Sequence, residues 1–211
     1  MKLKKVGLAG FGTIGRPVGK ALDDGIEGLE LVALCVRDRA RAELRMAEFR
    51  KAVPILGPEE LAEAADIIVE IAPKAAFYSI AYPALKAGRL LVTVSGAGLL
   101  EYPEIIDLAR NGTGRIELVT GALLGLDAVR AAAEGTIEEV RMVTRKPPPS
   151  LSGAPYLIEH QIEVDGLDAP LKVFEGTARE GAHGFPANVN VAAALGLAGI
   201  GPDRTRLEIW A

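Results

Sequence analysis

Residues 4–15 read Lys-Lys-Val-Gly-Leu-Ala-Gly-Phe-Gly-Thr-Ile-Gly, and this stretch decides the fold. Residues 4–9 form a short apolar segment that predicts a buried strand, and a helix-forming segment follows the last glycine. The spacing Gly10-x-Gly12-x-x-Gly15 between them is typical of a turn that holds a dinucleotide pyrophosphate. The spacing alone is weak in a chain with 24 glycines, so its position between a strand and a helix carries the interpretation.

The three glycines of this turn have different expected roles. Gly10 permits a tight turn, Gly12 lets the backbone approach the pyrophosphate, and Gly15 allows close packing of helix on strand. The N–H groups at the start of the helix would face the phosphates. The alternative is a packing turn that binds no nucleotide. We predict that six consecutive residues contact the cofactor: Gly10, Phe11, Gly12, Thr13, Ile14 and Gly15.

The alternation of strand and helix continues through the first half of the chain. Strands that are apolar on both faces, separated by helices, indicate a parallel sheet covered on both sides. The sequence therefore predicts an α/β fold with a Rossmann-type doubly wound parallel sheet in a first domain at residues 1–135. Its further strands are predicted at residues 29–36, 66–72, 89–95 and 116–120.

The regular alternation of strand and helix ends after about residue 135. The later strand candidates lack regular intervening helices, which favours a second, smaller α+β domain with an antiparallel sheet at residues 136–211. Its predicted strands are residues 137–145, 156–164, 171–175 and 205–210, and a helix is predicted at residues 186–197.

Composition excludes several classes of protein. The net charge is −4 and no basic stripe is present, which argues against nucleic acid as a partner. No apolar run reaches the roughly 20 residues needed to span a bilayer, so we expect no membrane association. The basic start is followed by a glycine-rich segment rather than a signal peptide, which favours a cytoplasmic protein. Cys35 is the only cysteine, so we expect neither an internal disulfide nor a metal site.

The choice of cofactor depends on the end of the second strand. NAD-preferring sites place a carboxylate about 20 residues beyond the glycine motif, where it binds the ribose hydroxyl. That place holds Val36 here, followed by Arg37 and Asp38. Arg37 would pair with the 2′-phosphate of NADP, whereas in a slightly shifted register Asp38 would bind the ribose of NAD. A solvated Arg-Asp pair is the third reading. We therefore expect NADP or NAD as cofactor, with NADP accepted.

Other strand ends carry small residues that would let a nicotinamide or a ribose approach the backbone. Ligands of doubly wound sheets bind beyond the carboxyl ends of the strands. The alternative is that these small residues only terminate the strands and form ordinary loops. The cofactor contacts predicted at these ends are Ala72, Pro73, Ser95, Gly96, Ala97 and Ala122.

Two of the three asparagines in the chain, Asn188 and Asn190, lie in one triplet near a predicted helix start. Their amides could bind a carboxamide or a carboxyl group, although helix capping explains one of them. Lys146 ends a strand with a cation that suits a diacid substrate, unless it is simply solvated. His160 and His183, the only histidines, are expected to be structural or solvated. The predicted substrate contacts are Ser95, Lys146, Asn188 and Asn190, and Asn188 is also a predicted cofactor contact.

These motifs together resemble the L-aspartate dehydrogenase family over essentially the whole chain. The segments that carry the resemblance are Gly-Phe-Gly-Thr-Ile-Gly at 10–15, Ser-Gly-Ala-Gly at 95–98, Gly-Ala-Leu-Leu-Gly-Leu-Asp at 121–127, Thr-Arg-Lys-Pro-Pro at 144–148, Val-Phe-Glu-Gly-Thr-Ala-Arg at 173–179 and Phe-Pro-Ala-Asn-Val-Asn-Val-Ala-Ala at 185–193.

The resemblance implies that the α+β domain dimerises, so that the protein is a homodimer. It also implies NAD(P)-linked oxidation of a dicarboxylic amino acid, L-aspartate, to iminoaspartate, or the reverse reductive amination. Iminoaspartate feeds NAD biosynthesis or hydrolyses to oxaloacetate and ammonia. The resemblance also implies that Ala122 and an asparagine of the triplet contact the nicotinamide end. It places the proposed catalytic histidine of the family beyond Ala211, so the chain is expected to be short at its C-terminus. No catalytic residue is assigned within it; Lys146 is a substitute candidate for acid–base work.

Three hypotheses follow. The chain is an aspartate dehydrogenase, a related NAD(P)-dependent dehydrogenase of another amino or oxo acid, or a catalytically impaired protein that binds a dinucleotide. The paired asparagines favour an enzyme, because simple cofactor binding does not require them.

Overall fold

The structure, a computed structural model of the chain, describes residues 3–186 and 188–211. Met1 and Lys2, at the start of the predicted first domain, and Ala187, inside the predicted helix at 186–197, lie outside the described residues.

The chain divides into two compact units. The first comprises the described residues up to Gly98 together with Tyr102–Val119, and the second comprises Leu99–Glu101 and Thr120–Ala211. The domain boundary between residues 135 and 136 stays a prediction.

The first unit contains a five-stranded parallel sheet in the order β2-β1-β3-β4-β5. Its strands are β1 (Lys4–Ala9), β2 (Leu29–Cys35), β3 (Ile67–Glu70), β4 (Leu90–Thr93) and β5 (Arg115–Leu118). Helices flank the sheet, so the prediction of a Rossmann-type doubly wound α/β sheet is confirmed.

The helices associated with this sheet are short and partly amphipathic. Two of them have clear sequence causes: Pro58 starts one helix at a position where its missing N–H costs nothing, and Asp38 caps another. No helix in the described part of the chain is long and apolar enough to cross a lipid bilayer. They are α1 (Gly15–Gly25), α2 (Arg39–Met46), α3 (Pro58–Ala64), α4 (Phe77–Lys86), α5 (Gly96–Glu101), which continues into the second unit, and α6 (Pro103–Asn111), with a short 3-10 turn at Lys74–Ala76.

The second unit contains a three-stranded sheet in the order β6-β8-β7, formed by β6 (Val140–Arg145), β7 (Lys172–Thr177) and β8 (Thr205–Trp210). The prediction of an antiparallel sheet was wrong: β7 and β8 are antiparallel, but β6 and β8 are parallel. Parallel pairing requires a crossover, which the long segment between β6 and β8 supplies. Its helices are α7 (Leu126–Ala133), α8 (Pro148–Leu151), α9 (Pro155–Glu159), α10 (Ala178–Gly184) and α11 (Asn190–Ala198).

Two local predictions in this unit were wrong. Residues 156–164 do not form a strand, because Pro155 opens the short helix α9, on which Leu157 is the buried residue. The predicted helix at 186–197 begins later, at Asn190, because a turn precedes it in which the Asn188 N–H donates to the Phe185 carbonyl at 2.9 Å.

The side chain of Phe11 fixes the glycine turn to the core. It is only 5% exposed and packs edge-to-face on Phe49 with ring centroids 5.6 Å apart. Val6 and Leu8 of β1 and Leu34 of β2 belong to the same buried cluster. The turn therefore rests on a hydrophobic anchor in its own second residue.

We expect Phe11→Ala to lower the free energy of unfolding by about 3 kcal/mol, because it removes buried ring contacts and leaves a cavity. Ile14→Ala is the matched control in the same turn: that side chain is 55% exposed, so its loss should change stability by no more than about 0.5 kcal/mol. Urea unfolding followed by far-UV circular dichroism measures both. Equal losses in the two variants would contradict the assignment of Phe11 as the anchor.

Candidate cofactor-binding site

The glycine turn lies at the carboxyl end of β1 and is held by two close backbone approaches. Gly10 has a φ of 107°, and a Cβ there would lie 2.5 Å from the carbonyl oxygen of Ile71. A Cβ on Gly15 would overlap the carbonyl oxygen of Gly10. Only glycine fits at either position, as the sequence pattern predicted.

Gly12 differs from the other two glycines because the space beside it is open. In the described part of the chain, no atom apart from those of Gly12 and its two chain neighbours lies within 4 Å of the position that its Cβ would take. The space lies beside the residues that lead into α1, where the N–H of Arg16 donates to the carbonyl of Gly12 at 3.1 Å. An open approach to the backbone next to a helix N-terminus fits a pyrophosphate.

A cleft of about 560 Å³ lies beside this turn, within the first unit. Seven predicted contacts line it together, while Thr13 and Gly12 border a neighbouring depression on the α1 side. The cleft is bounded by the turn, the end of β2, the loop after β3 and the start of α4. The predicted residues that it brings together are Gly10, Phe11, Gly12, Arg37, Asp38, Ala72 and Pro73.

Three arginines line the part of the cleft at the end of β2. Arg37 and Arg41 have exposed side chains, and the guanidinium of Arg45 donates a hydrogen bond to the carbonyl of Phe11. Asp38 lies among them, but its Oδ1 accepts a hydrogen bond from the backbone N–H of Arg41 at 3.0 Å and so caps α2. Arg41 and Arg45 were missed at the level of sequence, although their spacing on a predicted helix placed them on one face.

Glu70 is a second feature that sequence reasoning missed. It is the last residue of β3 and is 0% exposed. Its Oε1 accepts from the N–H of Ala72 at 3.0 Å and its Oε2 from the hydroxyl of Thr93 at 2.5 Å. Burial raises the pKa of the Glu70 carboxyl, and hydrogen bonds from Thr93, Ser95 and Ala72 oppose that rise. Its one available signal was a charged residue inside an otherwise apolar strand.

Ser95, Gly96 and Ala97 follow the end of β4 and are buried. Ser95 is 5% exposed, and its side chain hydrogen-bonds to Glu70. Among the described residues, these three are not part of the lining of the cleft. The hydroxyl of Ser95 is thus directed into the first unit.

In the second unit, Asn188 is bonded to the short helix α8, and Lys146 is bonded to the end of β8. The side-chain amide of Asn188 donates to the carbonyl of Ser150 at 3.1 Å, and the backbone N–H of Lys146 donates to the carbonyl of Trp210 at 2.9 Å. Both side chains are half-buried, as is Asn190, the first residue of α11. Ala122 is exposed in a loop where Gly121 and Gly125 have positive φ.

Both histidines lie on the surface. The ring of His160 stacks on Tyr156 with centroids 3.9 Å apart, and its Nδ1 lies 2.9 Å from the carbonyl oxygen of the same tyrosine. His183 is exposed in the last turn of α10. These are the surroundings of structural or solvated histidines.

Two families match the chain in succession. The family described as homoserine dehydrogenase, NAD binding domain, matches residues 10–118, and the family described as aspartate dehydrogenase, C-terminal, matches residues 127–211.

Curated relatives and a solved structure agree with these matches. The L-aspartate dehydrogenase of Bradyrhizobium diazoefficiens is 53% identical over 98% of this chain and 74% of the relative. L-aspartate dehydrogenase 3 of Bordetella bronchiseptica is 48% identical over 98% of this chain and 76% of its own length. The crystal structure of aspartate dehydrogenase from Thermotoga maritima shares the fold with a TM-score of 0.73 at 22% identity, over 99% of this chain and 78% of that one.

The family resemblance found in the motifs is confirmed by these comparisons. The chain spans about three quarters of the length of the curated relatives. It belongs to the L-aspartate dehydrogenase family and is an oxidoreductase with a domain for a nicotinamide dinucleotide.

Proposed function

We propose that this chain catalyses the NAD(P)-dependent interconversion of L-aspartate and iminoaspartate, which in reverse is the reductive amination of oxaloacetate with ammonia. The observation that carries the proposal is the 53% identity to an L-aspartate dehydrogenase across 98% of the chain. The open approach at Gly12 and the adjoining cleft supply a place for the dinucleotide. The chemistry of the bound cofactor is hydride exchange between its nicotinamide C4 and the α-carbon of the substrate.

The residues of the first unit bind the cofactor in this proposal. The turn from Gly10 to Gly15 holds the pyrophosphate, and Arg37 pairs with the 2′-phosphate of NADP. This end of the cleft carries three arginines, and the single carboxylate beside them, Asp38, already caps α2. This excess of cations supports a preference for NADP over NAD. Ala72, Pro73 and the segment from Ser95 to Ala97 contribute to the nicotinamide half.

The residues of the second unit bind the substrate. Lys146 supplies a cation for a carboxylate, and Asn188 and Asn190 supply amides that can donate to a second carboxylate or to the carboxamide of the nicotinamide. The hydrogen bond from Asn188 to the Ser150 carbonyl fixes this side chain against the short helix α8, which begins two residues after Lys146. The family resemblance makes Ala122 a proposed nicotinamide contact, and Lys146 remains the candidate for acid–base work.

We also propose a cytoplasmic homodimer that supplies iminoaspartate to NAD biosynthesis. One face of the second sheet supports the dimer, because it carries exposed side chains from its edge strands. Val143 is 41% exposed there, and Lys172 lies over the ring of Trp210, 6.0 Å from its centroid.

The reaction is tested by following the oxidation of NADPH and of NADH with oxaloacetate plus ammonia. We expect turnover with oxaloacetate, faster with NADPH, and much slower turnover with 2-oxoglutarate plus ammonia. Preference for 2-oxoglutarate would favour a dehydrogenase of another amino acid. Cofactor binding without turnover of either acid would favour a protein that only binds the dinucleotide.

Cofactor preference is tested by Arg37→Ala. Loss of a charge-assisted hydrogen bond costs about 1.5–3 kcal/mol, so the Kd of NADPH should rise roughly tenfold to a hundredfold while that of NADH changes little. Arg39→Ala is the matched control, since Arg39 is an exposed cation two residues further on, at the start of α2, and does not belong to the described lining of the cleft. Equal weakening of NADPH and NADH by Arg37→Ala would refute a contact with the 2′-phosphate.

The role of Lys146 is tested by Lys146→Met. Removal of the cation should raise the KM for oxaloacetate roughly tenfold to a hundredfold and leave the Kd of NADPH unchanged. Arg145→Met removes the neighbouring exposed cation on β6 and should leave KM within about twofold. An unchanged KM in Lys146→Met, or the same change in both variants, would argue against substrate binding by Lys146.

A further inference from the structure

We propose that Glu70 is a positioning residue whose buried carboxyl joins the loop after β3 to the loop after β4 and thereby shapes the surface that receives the nicotinamide half of the cofactor. The inference rests on the proposed dinucleotide binding, and it assigns a role to a residue that is absent from the lining described for the cleft.

The order of the strands indicates where that half of the cofactor lies. The sheet order is β2-β1-β3-β4-β5. The proposed phosphate turn follows β1, and the proposed contact with the adenosine end, Arg37, follows β2. A dinucleotide centred on β1 with one end over β2 extends its other end over β3 and β4. The ends of those two strands are Glu70 and Thr93, which are direct partners in the parallel register.

The contacts of Glu70 reach both loops. Its Oε1 accepts from the backbone N–H of Ala72, at 3.0 Å, in the loop after β3. Its Oε2 accepts from the hydroxyl of Thr93 at 2.5 Å, and the Thr93 oxygen in turn accepts from the backbone N–H of Ser95 at 2.9 Å. The side chain of Ser95 is a further hydrogen-bond partner of the carboxyl. We call these four residues the Glu70 network.

The side chains of the Glu70 network connect the chain segments after β3 and β4, beyond the point where backbone hydrogen bonds between these strands end. The last hydrogen bond across this pair runs from the N–H of Val94 to the carbonyl of Glu70 at 3.2 Å. Further out, the backbones separate to form the two loops, and the Glu70 network supplies the described hydrogen bonds that join them. The relative position of Ala72 and Ser95 therefore depends on the side chains of Glu70 and Thr93.

Burial of a carboxyl at position 70 is energetically unfavourable for the folded state. Its neighbours in β3 are Ile67, Ile68 and Val69, and the residue is 0% exposed. Its described partners are hydrogen-bond donors and not a cation, and burial of a carboxyl is unfavourable unless hydrogen bonds compensate. An apolar residue would serve the sheet alone equally well. A carboxyl is needed because one group must accept hydrogen bonds from two different loops.

Glutamine separates this role from simple packing. Glu70→Gln conserves the shape of the side chain but replaces one acceptor oxygen by an NH₂ group, which cannot accept. Either Ala72 or Thr93 then loses its acceptor. Thr93→Val interrupts the same network at its other end, and Thr93→Ser retains the hydroxyl. Glu63→Gln, at an exposed position on α3, is the matched control.

The test compares the binding of two ligands by calorimetry: NADPH, and adenosine 2′,5′-bisphosphate, which has the adenosine half but no nicotinamide. In Glu70→Gln and Thr93→Val the Kd of NADPH should rise about tenfold, equivalent to about 1.4 kcal/mol, while that of the bisphosphate stays unchanged. Thr93→Ser and Glu63→Gln should bind both ligands as the wild type does. The emission of the bound nicotinamide should shift towards that of free NADPH in the first two variants only.

Two results would overturn the proposal. Equal weakening of both ligands would indicate general loosening of the first unit, and unchanged NADPH binding in both network variants would show that the network does not shape this surface. If Glu70→Gln does not fold, as judged by circular dichroism, the Thr93→Val and Thr93→Ser pair decides the outcome. Because the readout is binding, failure of turnover with oxaloacetate leaves this result interpretable. A protein that prefers NAD is tested in the same way with NADH and ADP.

Discussion

The structure depends on the contact between two backbones in the turn after β1. Gly15 opens α1 so close to the carbonyl of Gly10 that no side chain fits between them, and Gly10 lies equally close to Ile71. These approaches bring α1, β1 and the loop after β3 together at one point. The open space at Gly12, the burial of Phe11 beneath it and the hydrogen bond from Arg45 to the Phe11 carbonyl all follow from that geometry. Because backbone sterics fix the conformation of this turn, the turn holds Arg45 in a defined position beside the proposed cofactor site.

The sequence predicts the first unit well because its cues are local. Apolar strands alternate with helices, and the glycine spacing falls between the first pair, so the parallel sheet and its turn could be derived without tertiary information. The cap at Asp38 had a local cue too, since an aspartate directly before a helix is a common start. From the sequence, Asp38 is a candidate ribose ligand in a slightly shifted register, because the count from Gly15 falls on Val36.

The second unit was less predictable because its pairing is non-local. β6 and β8 are separated by more than fifty residues along the chain, yet they pair in parallel with a continuous register from Val140–Thr205 to Arg145–Trp210. No pattern within either strand reveals the direction of its partner. Residues 156–164 are rich enough in apolar side chains to suggest a strand, but Pro155 stands at a position that starts a helix. Glu70 was overlooked for a related reason: its importance arises from a partner on another strand.

The cap at Asp38 has a consequence for how the cofactor choice of such a protein could change during evolution or design. The carboxylate that might seem ready to accept a ribose hydroxyl is already holding the first turn of α2. Deleting arginines around it would weaken the proposed phosphate contact without supplying a new acceptor, and redirecting Asp38 would release the helix that carries Arg41 and Arg45. A route towards NAD therefore requires a second acidic side chain, with position 36 or 37 as the place to gain it. Because the Asp38 side chain stabilises α2 as well as lying at the proposed cofactor site, the proposed preference for NADP would be harder to reverse than a count of surface charges suggests.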